Sequence, residues 1–250
     1  MNSLQIGFIT ATFTVPVICW LAARDPRPAA SLADPKADSR PIVRGIAWTF
    51  SAILLGVFIL ATYFRFHDVR FSPATHLPMH LCDWAMVATL LALLGRSQAG
   101  FEITYCWGLA GTFQALLTPA WSVEGGPAAW CFLIFHSVIP AAVLWLIFMG
   151  WRPSARAWGR VFGWSQIYFV AAILVNAASP GSNYGFLARR PDLPTLLDKF
   201  PDPAGGWLYM LSIDAFGLAL FALMLLPWPS TRHLTQATPV TAPSPATSDE

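Results

Sequence analysis

The chain has 250 residues, of which 56% are hydrophobic and 11% charged, and its mean hydropathy is +0.54. Soluble domains carry about a quarter charged residues, so this composition excludes a disordered chain, a nucleic-acid binder and an ordinary water-soluble enzyme. The net charge of +2 points to no particular partner. At about 20 apolar residues per crossing, the length accommodates about six to eight transmembrane helices and no sizeable soluble domain.

Taken in chain order, seven apolar runs qualify as spans: residues 5–23, 45–64, 78–94, 103–121, 128–150, 161–179 and 207–228. The third contains Asp83 and the seventh Asp214. Arg24, the first basic residue, follows the first run, so that run reads as a retained span rather than a cleaved signal peptide. Short loops rich in Pro, Gly and Arg separate the runs, and there is no internal repeat. From Pro229 the chain turns to Pro, Thr, Ser and Ala. The expectation is an all-α, polytopic transmembrane helix bundle over 1–228, followed by a disordered cytoplasmic tail over 229–250.

Basic residues in alternate loops set the orientation. Arg24, Arg27, Lys36, Arg40, Arg44, Arg96, Arg152, Arg156, Arg160 and Arg232 fall on one side; Arg65, Arg70, Arg189, Arg190 and Lys199 fall on the other. Ten against five places the first set inside, with the N-terminus outside and the C-terminus in the cytoplasm. The expected location is the cell membrane.

Polar side chains are costly in hydrocarbon, so each intramembrane one is a functional candidate. Cys82, Gln114, His136, Asn176 and Asp214 each fall roughly 5–12 Å below the outer surface at 1.5 Å per residue. The inner halves of the same spans hold few polar groups beyond Glu102 and Gln166. This sorting by depth predicts a shared polar pocket opening toward the outer leaflet. If Pro78 opens the third helix, His80 and Cys82 stand about 160° apart around its axis. His80 then cannot serve Cys82 as a base, and His136 is the other intramembrane histidine. Pro140 lacks the N–H that would bond the His136 carbonyl, which argues for a kink and a hydrated site.

Each candidate also has a structural reading. Cys82 can be a small packing residue, His136 and His80 helix–helix hydrogen bonders, and Asp83 a cap or pairing acceptor. Asn183 and Tyr184 sit in a glycine-flanked loop that reads equally as a turn. Cys19, Cys106 and Cys131 read as packing residues, and most of the twelve tryptophans as interfacial anchors. The cysteines show neither disulfide nor zinc spacing.

The runs His80-Leu-Cys-Asp83, Tyr105-Cys-Trp-Gly-Leu-Ala-Gly-Thr112, Gln114-Ala-Leu-Leu-Thr-Pro119, Phe135-His-Ser137 and Gly181-Ser-Asn-Tyr184, with Asn176, resemble the YwaF-like bacterial integral membrane proteins. The similarity covers about residues 76–227. That family looks related to a eukaryotic transmembrane acyltransferase of ether phospholipids. The resemblance implies a catalytic pair at Cys82 and His136, the same two residues that depth and helical angle single out.

The leading expectation is a Cys/His acyltransferase acting on membrane lipids through an acyl-thioester on Cys82. Asp83, Gln114, Asn176 or Asn183 would orient His136 or bind the oxyanion and headgroup, with His80, Tyr184 and Asp214 as further lining. No cofactor or metal motif appears, and lipid-to-lipid transfer requires none. The alternatives are a non-enzymatic transporter or lipid- and solute-binding protein, and a structural membrane subunit. A reporter fused to the C-terminus of cells expressing the chain is expected to be protected from outside reagents; labelling in intact cells would reverse the assigned topology.

Overall fold

The structure, a computed structural model, describes residues 1–24, 38, 40–67, 71–120, 125–202 and 206–228; the expected tail lies outside them. Among the described residues all regular structure is helical. Its elements are α1 (Ser3–Ala23), α2 (Pro41–His67), α3 (Pro73–His76), α4 (Leu81–Leu93), α5 (Gln98–Cys106), a π-helical segment (Trp107–Thr112), α6 (Phe113–Leu117), α7 (Pro127–Phe148), α8 (Ala157–Ala178) and α9 (Trp207–Leu225). Short 3-10 turns at Tyr184–Phe186 and Leu196–Lys199 lie between the last two helices. Five helices, α1, α2, α7, α8 and α9, are long and apolar enough to cross a membrane.

The third and fourth expected spans are built differently from the other five. Pro78 does not open the third helix. The chain from Leu77 to His80 is extended, and α4 starts at Leu81 because His80 caps it and Asp83 accepts the His80 backbone N–H at 3.0 Å. The His80–Cys82 angle argued from one continuous helix therefore does not apply. At 1.5 Å per residue α4 rises only about 20 Å, short of a full hydrocarbon core. The fourth run starts at Gln98 and is continuous to Leu117, but it is interrupted by the π turn Trp107–Thr112.

Glycine explains how that wide turn packs. A methyl group on Gly108 would stand 3.1 Å from Ile139 Cγ2 and 3.5 Å from Val143 Cγ2, and one on Gly111 would meet Leu81 Cδ2 at 2.7 Å. The π turn thus lies directly against α7 on one side and the head of α4 on the other. Nearer the opposite end, Gly100 lets α5 approach α4, with Ala85, Ala88 and Ala92 buried along the seam.

The long helix α7 is the centre of the bundle and contacts α1, α2, α4, α5, the π segment and α6. Sixty-seven per cent of its spanning window is buried, against 11–22% for the other four long helices. Hydrogen bonds then pin the helices together, as expected where lipid gives no hydrophobic drive. Thr89 and Thr104 hydroxyls meet at 2.6 Å, Trp107 Nε1 donates to Ser165 Oγ at 3.0 Å, and Gln5 Nε2 donates to the Leu116 carbonyl at 3.2 Å. At the basic end, Glu102 is fully buried and accepts from Arg160 at 2.7 Å and from the Ser154 N–H at 2.8 Å.

A Cβ on Gly100 would lie 2.7 Å from the Ala88 carbonyl oxygen and 3.0 Å from the Ala92 nitrogen, both backbone atoms that cannot step aside. Gly100→Ala is expected to destabilise the detergent-purified protein by about 1–3 kcal/mol. Gly163→Ala, where nothing lies within 4 Å, is expected to be neutral or to stabilise by up to about 1 kcal/mol. Thermal melts of the two variants check the contrast.

Candidate functional site

Cys82 is the second residue of α4, half-buried and reduced. The first-turn amides of a helix have no carbonyl partner inside it and favour negative charge. Cys82 and Asp83 carry two of these first-turn amides at the head of α4. Asp83, buried, spends one carboxylate oxygen on the His80 amide. Its first role is therefore to fix where α4 begins.

His136 sits in the middle of α7 and is buried. Its Nδ1 lies 2.8 Å from the Phe132 carbonyl one turn back. A carbonyl can only accept, so Nδ1 carries the proton and the neutral ring keeps its lone pair on Nε2. The ring is held from the sides by Phe132, at 4.1 Å between centroids, and by Phe135 at 5.5 Å. Among the described residues Nε2 has no hydrogen-bond partner. Pro140 is inside α7, so the His136 carbonyl lacks its usual intrahelical donor. The helices carrying the two candidates are in contact, but among the described residues no hydrogen bond joins Cys82 to His136.

The other candidates are engaged locally rather than gathered into one pocket. Gln114 donates to Thr118 Oγ1 on its own helix end at 2.8 Å. Asn176 accepts from the Tyr184 N–H at 2.8 Å and donates to the Tyr184 carbonyl at 3.0 Å, clamping the loop after α8. Asn183 accepts from the amides of Ala188 and Arg189 and donates to the Arg189 carbonyl. Asp214 on α9 accepts twice from Gln166 on α8, at 3.0 and 3.1 Å. The depth shared by Gln114, Asn176 and Asp214 therefore goes with separate pairings, because each amide or carboxylate found the nearest complementary group.

Three candidates do share a space. His80, Asn183 and Tyr184 line a cavity of about 210 Å³ with Thr75, Ala120, Phe186, Arg189, Arg190 and Asp192. The His80 ring meets Tyr184 edge-on at 5.1 Å. Tyr184 staples the cavity wall: its hydroxyl donates to the Pro73 carbonyl at 2.8 Å and accepts from the Leu77 N–H at 3.0 Å. Burial pushes its phenol above the ordinary value, so it stays a donor. The irregular stretch Leu77–His80 thus ends at the cavity, to whose wall it contributes His80.

Sequence reasoning missed four residues near this region. Arg65 acts electrostatically on His80, Cys82 and Asp83, yet in the sequence it is only one charge in a topology count. Arg189 and Arg190 line the cavity, and the buried Arg190 Nε has no partner. A double arginine on the side poor in basic residues was the available signal. Tyr168 on α8 has a buried hydroxyl that finds no acceptor among the described residues, lies within electrostatic range of Cys82 and Asp83, and stacks edge-on against Trp84 at 5.6 Å. Nothing in its apolar surroundings marked it. Among the described residues no cluster of three or more His, Cys, Asp or Glu is placed to hold a metal ion.

A bundle of long apolar helices around a central buried one, with polar groups paired inside, defines a multi-pass membrane protein. The chain belongs to the TMEM164 family, whose match covers residues 3–225 and so includes every helix of the bundle. No curated protein and no solved structure matches the chain.

Tyr184→Phe removes both stapling hydrogen bonds while keeping the ring. It is expected to cost about 1–3 kcal/mol and to speed proteolysis within residues 181–200. Unchanged cleavage and melting would show that the hydroxyl is dispensable.

Proposed function

We propose that this TMEM164-family protein is a lipid acyltransferase of the cell membrane, with Cys82 as nucleophile and His136 as general base. In this reading it is also a relative of the YwaF-like proteins and of the ether-phospholipid acyltransferase they resemble. It crosses the membrane seven times, with α4 and the α5–α6 run completing the set, the N-terminus outside and the C-terminus in the cytoplasm. Its partners are membrane lipids, and it uses no cofactor.

The observation that carries the reading is the state of His136. The Phe132 carbonyl holds the proton on Nδ1, so Nε2 is the basic atom, on a helix packed against the one bearing Cys82. In the proposed cycle Nε2 takes the Cys82 proton, and the thiolate attacks the ester carbonyl of a donor phospholipid. The tetrahedral oxyanion collapses to an acyl-thioester, and the departing lysolipid alkoxide takes the proton from His136. The hydroxyl of a second lysolipid then gives its proton to Nε2 and attacks the thioester, releasing the thiolate. The unpartnered Tyr168 hydroxyl is the donor proposed for the oxyanion. Arg189 and Arg190, in the 210 Å³ cavity, would meet the headgroup phosphate.

A second reading, a lipid- or solute-binding protein without covalent chemistry, is favoured by one observation: among the described residues no hydrogen bond links Cys82 to His136, while Asn176, Asn183 and Asp214 are spent on structural partners. Purified wild type, Cys82→Ala, His136→Ala and Tyr168→Phe are to be incubated with labelled donor phospholipid and lysolipid acceptor. The expectation is loss of transfer by at least about a hundredfold in Cys82→Ala and His136→Ala, about tenfold or more in Tyr168→Phe, and a labelled thioester in wild type. Transfer persisting in Cys82→Ala would sink the covalent mechanism; lipid binding without transfer by wild type would favour the second reading.

A further inference from the structure

Thr112 is a buried polar residue with no part in the chemistry above. It closes the π turn, is 2% exposed, and its hydroxyl has no partner among the described residues. Other helical threonines return their hydroxyl to the carbonyl four residues back: Thr12 to Phe8 at 2.9 Å, Thr62 to Phe58 at 2.7 Å and Thr89 to Ala85 at 2.7 Å. For Thr112 the equivalent carbonyl is that of Gly108, which in the π turn receives the Phe113 N–H, five residues on. The wide turn therefore keeps the hydroxyl off its own helix. A buried hydroxyl left without a partner is uncommon in a folded protein.

Contacts on either side of Thr112 fix what it faces. This helix run and α7 pass in opposite directions: Gln98, at the start of α5, bonds the Arg152 carbonyl just beyond α7, and Leu116, near the end of α6, packs with Ala129 and Leu133 near the start of α7. Gly108 meets Ile139 and Val143. Gly108, Thr112 and Leu116 are spaced by four and share one face. Thr112 is midway between the other two, and midway between Leu133 and Ile139 on α7 is His136, three residues from each. At about 100° per residue, His136 also points in the mean direction of Ala129, Leu133, Ile139 and Val143. Thr112 and His136 thus belong to one layer of the bundle. Gly111, next to Thr112, packs against Leu81, and Cys82 follows Leu81 at the half-buried head of α4.

Two polar atoms without partners share that layer, and they are of opposite kind. The Thr112 hydroxyl is a donor without an acceptor, and His136 Nε2 is an acceptor without a donor, because the Phe132 carbonyl keeps the proton on Nδ1. Together they are the complement of an alcohol, which accepts at its oxygen and donates its proton. We propose that Thr112 and His136 hold the hydroxyl of the acceptor lipid between them, Thr112 donating to its oxygen and Nε2 accepting its proton. The step this serves, breakdown of the acyl-thioester, rests on the acyltransferase reading. There the hydroxyl proton passes to Nε2, the oxygen bonds to the thioester carbon, the C–S bond breaks, and the thiolate takes the proton back from Nε2. Thr112 orients the attacking oxygen and is a catalytic residue of this second half-reaction alone.

The test uses the full-length, detergent-purified chain with Thr112→Val, which keeps the shape and removes the hydroxyl, and Thr112→Ser, which keeps the hydroxyl. Since the hydroxyl bonds nothing in the ligand-free chain, Thr112→Val is expected to melt at or above the wild-type temperature; a clear drop would mark a structural bond and overturn the proposal. Binding is followed by the rise in melting temperature with short-chain lysophosphatidylcholine and with its counterpart lacking the glycerol hydroxyl. Wild type and Thr112→Ser are expected to prefer the hydroxyl form severalfold to about tenfold, and Thr112→Val to bind the two alike. With labelled donor phospholipid, Thr112→Val is expected to form the thioester at the wild-type rate and to pass it on about tenfold more slowly, so labelled protein accumulates. Equal wild-type affinity for the two lysolipids, a preference retained in Thr112→Val, or equal slowing of thioester formation and breakdown would overturn the proposal. A hydroxyl preference lost in Thr112→Val, with no transfer by wild type, would remove the acyltransferase reading and leave the hydroxyl site. Transfer by wild type with Thr112→Val behaving identically would do the reverse.

Discussion

The contact on which the rest of the structure depends is the seating of the π turn Trp107–Thr112 against α7 and the head of α4. Gly108 brings it within contact of Ile139 and Val143, and Gly111 admits Leu81. Ile139 is one helical turn from His136, and Leu81 immediately precedes Cys82. The relative placement of the two candidate reactive groups therefore depends on close packing at these two glycines. A regular α-helix through 98–117 would turn these faces differently, and π turns of this sort are found mostly where a site requires it.

A second constraint shapes everything around that contact. With no water in the hydrocarbon, a polar side chain takes whatever partner the protein offers. Asn176 reaches the Tyr184 backbone, Asp214 reaches Gln166, and Glu102 reaches Arg160. What distinguishes Thr112, Trp145, Tyr168 and Arg190 is that, among the described residues, each keeps a buried donor without an acceptor. Satisfied groups describe how the bundle holds together, whereas these four keep hydrogen-bonding capacity in reserve.

Much of the fold was legible because apolar runs of sufficient length have few alternatives to a helix. The limits of α1, α2, α7, α8 and α9 follow the expected spans to within a few residues. The third span was misjudged at its start, since Pro78 satisfies the rule for a first helical residue. The competing cap of His80 and Asp83 depends on a side-chain bond that hydropathy does not show. The π turn was equally hidden, because Trp-Gly-Leu-Ala-Gly-Thr is as apolar as a regular helix. For the site, depth identified which residues were buried and polar but not their partners. Partner choice depends on rotation about each helix axis, and interhelical packing decides that rotation. His136 is a buried group on the central helix, and its tautomer follows from the Phe132 carbonyl, which hydropathy does not show.

The central burial of α7 has a consequence for the making of the protein. Five of the helices it touches precede it in the chain: α1, α2, α4, α5 and α6. While those elements enter the bilayer one after another, the surface they will share is still missing. Gln5 Nε2 must wait for the Leu116 carbonyl, more than a hundred residues later, before it has an acceptor within the fold. α4 and α5 can already pair, through Gly100 and the Thr89–Thr104 contact, but most of the surface that joins them to α1 and α2 forms only when Pro127–Phe148 arrives. Errors in α7 act on assembly as a whole, and errors in α9, which packs chiefly on α8 at the periphery, act after that event is over.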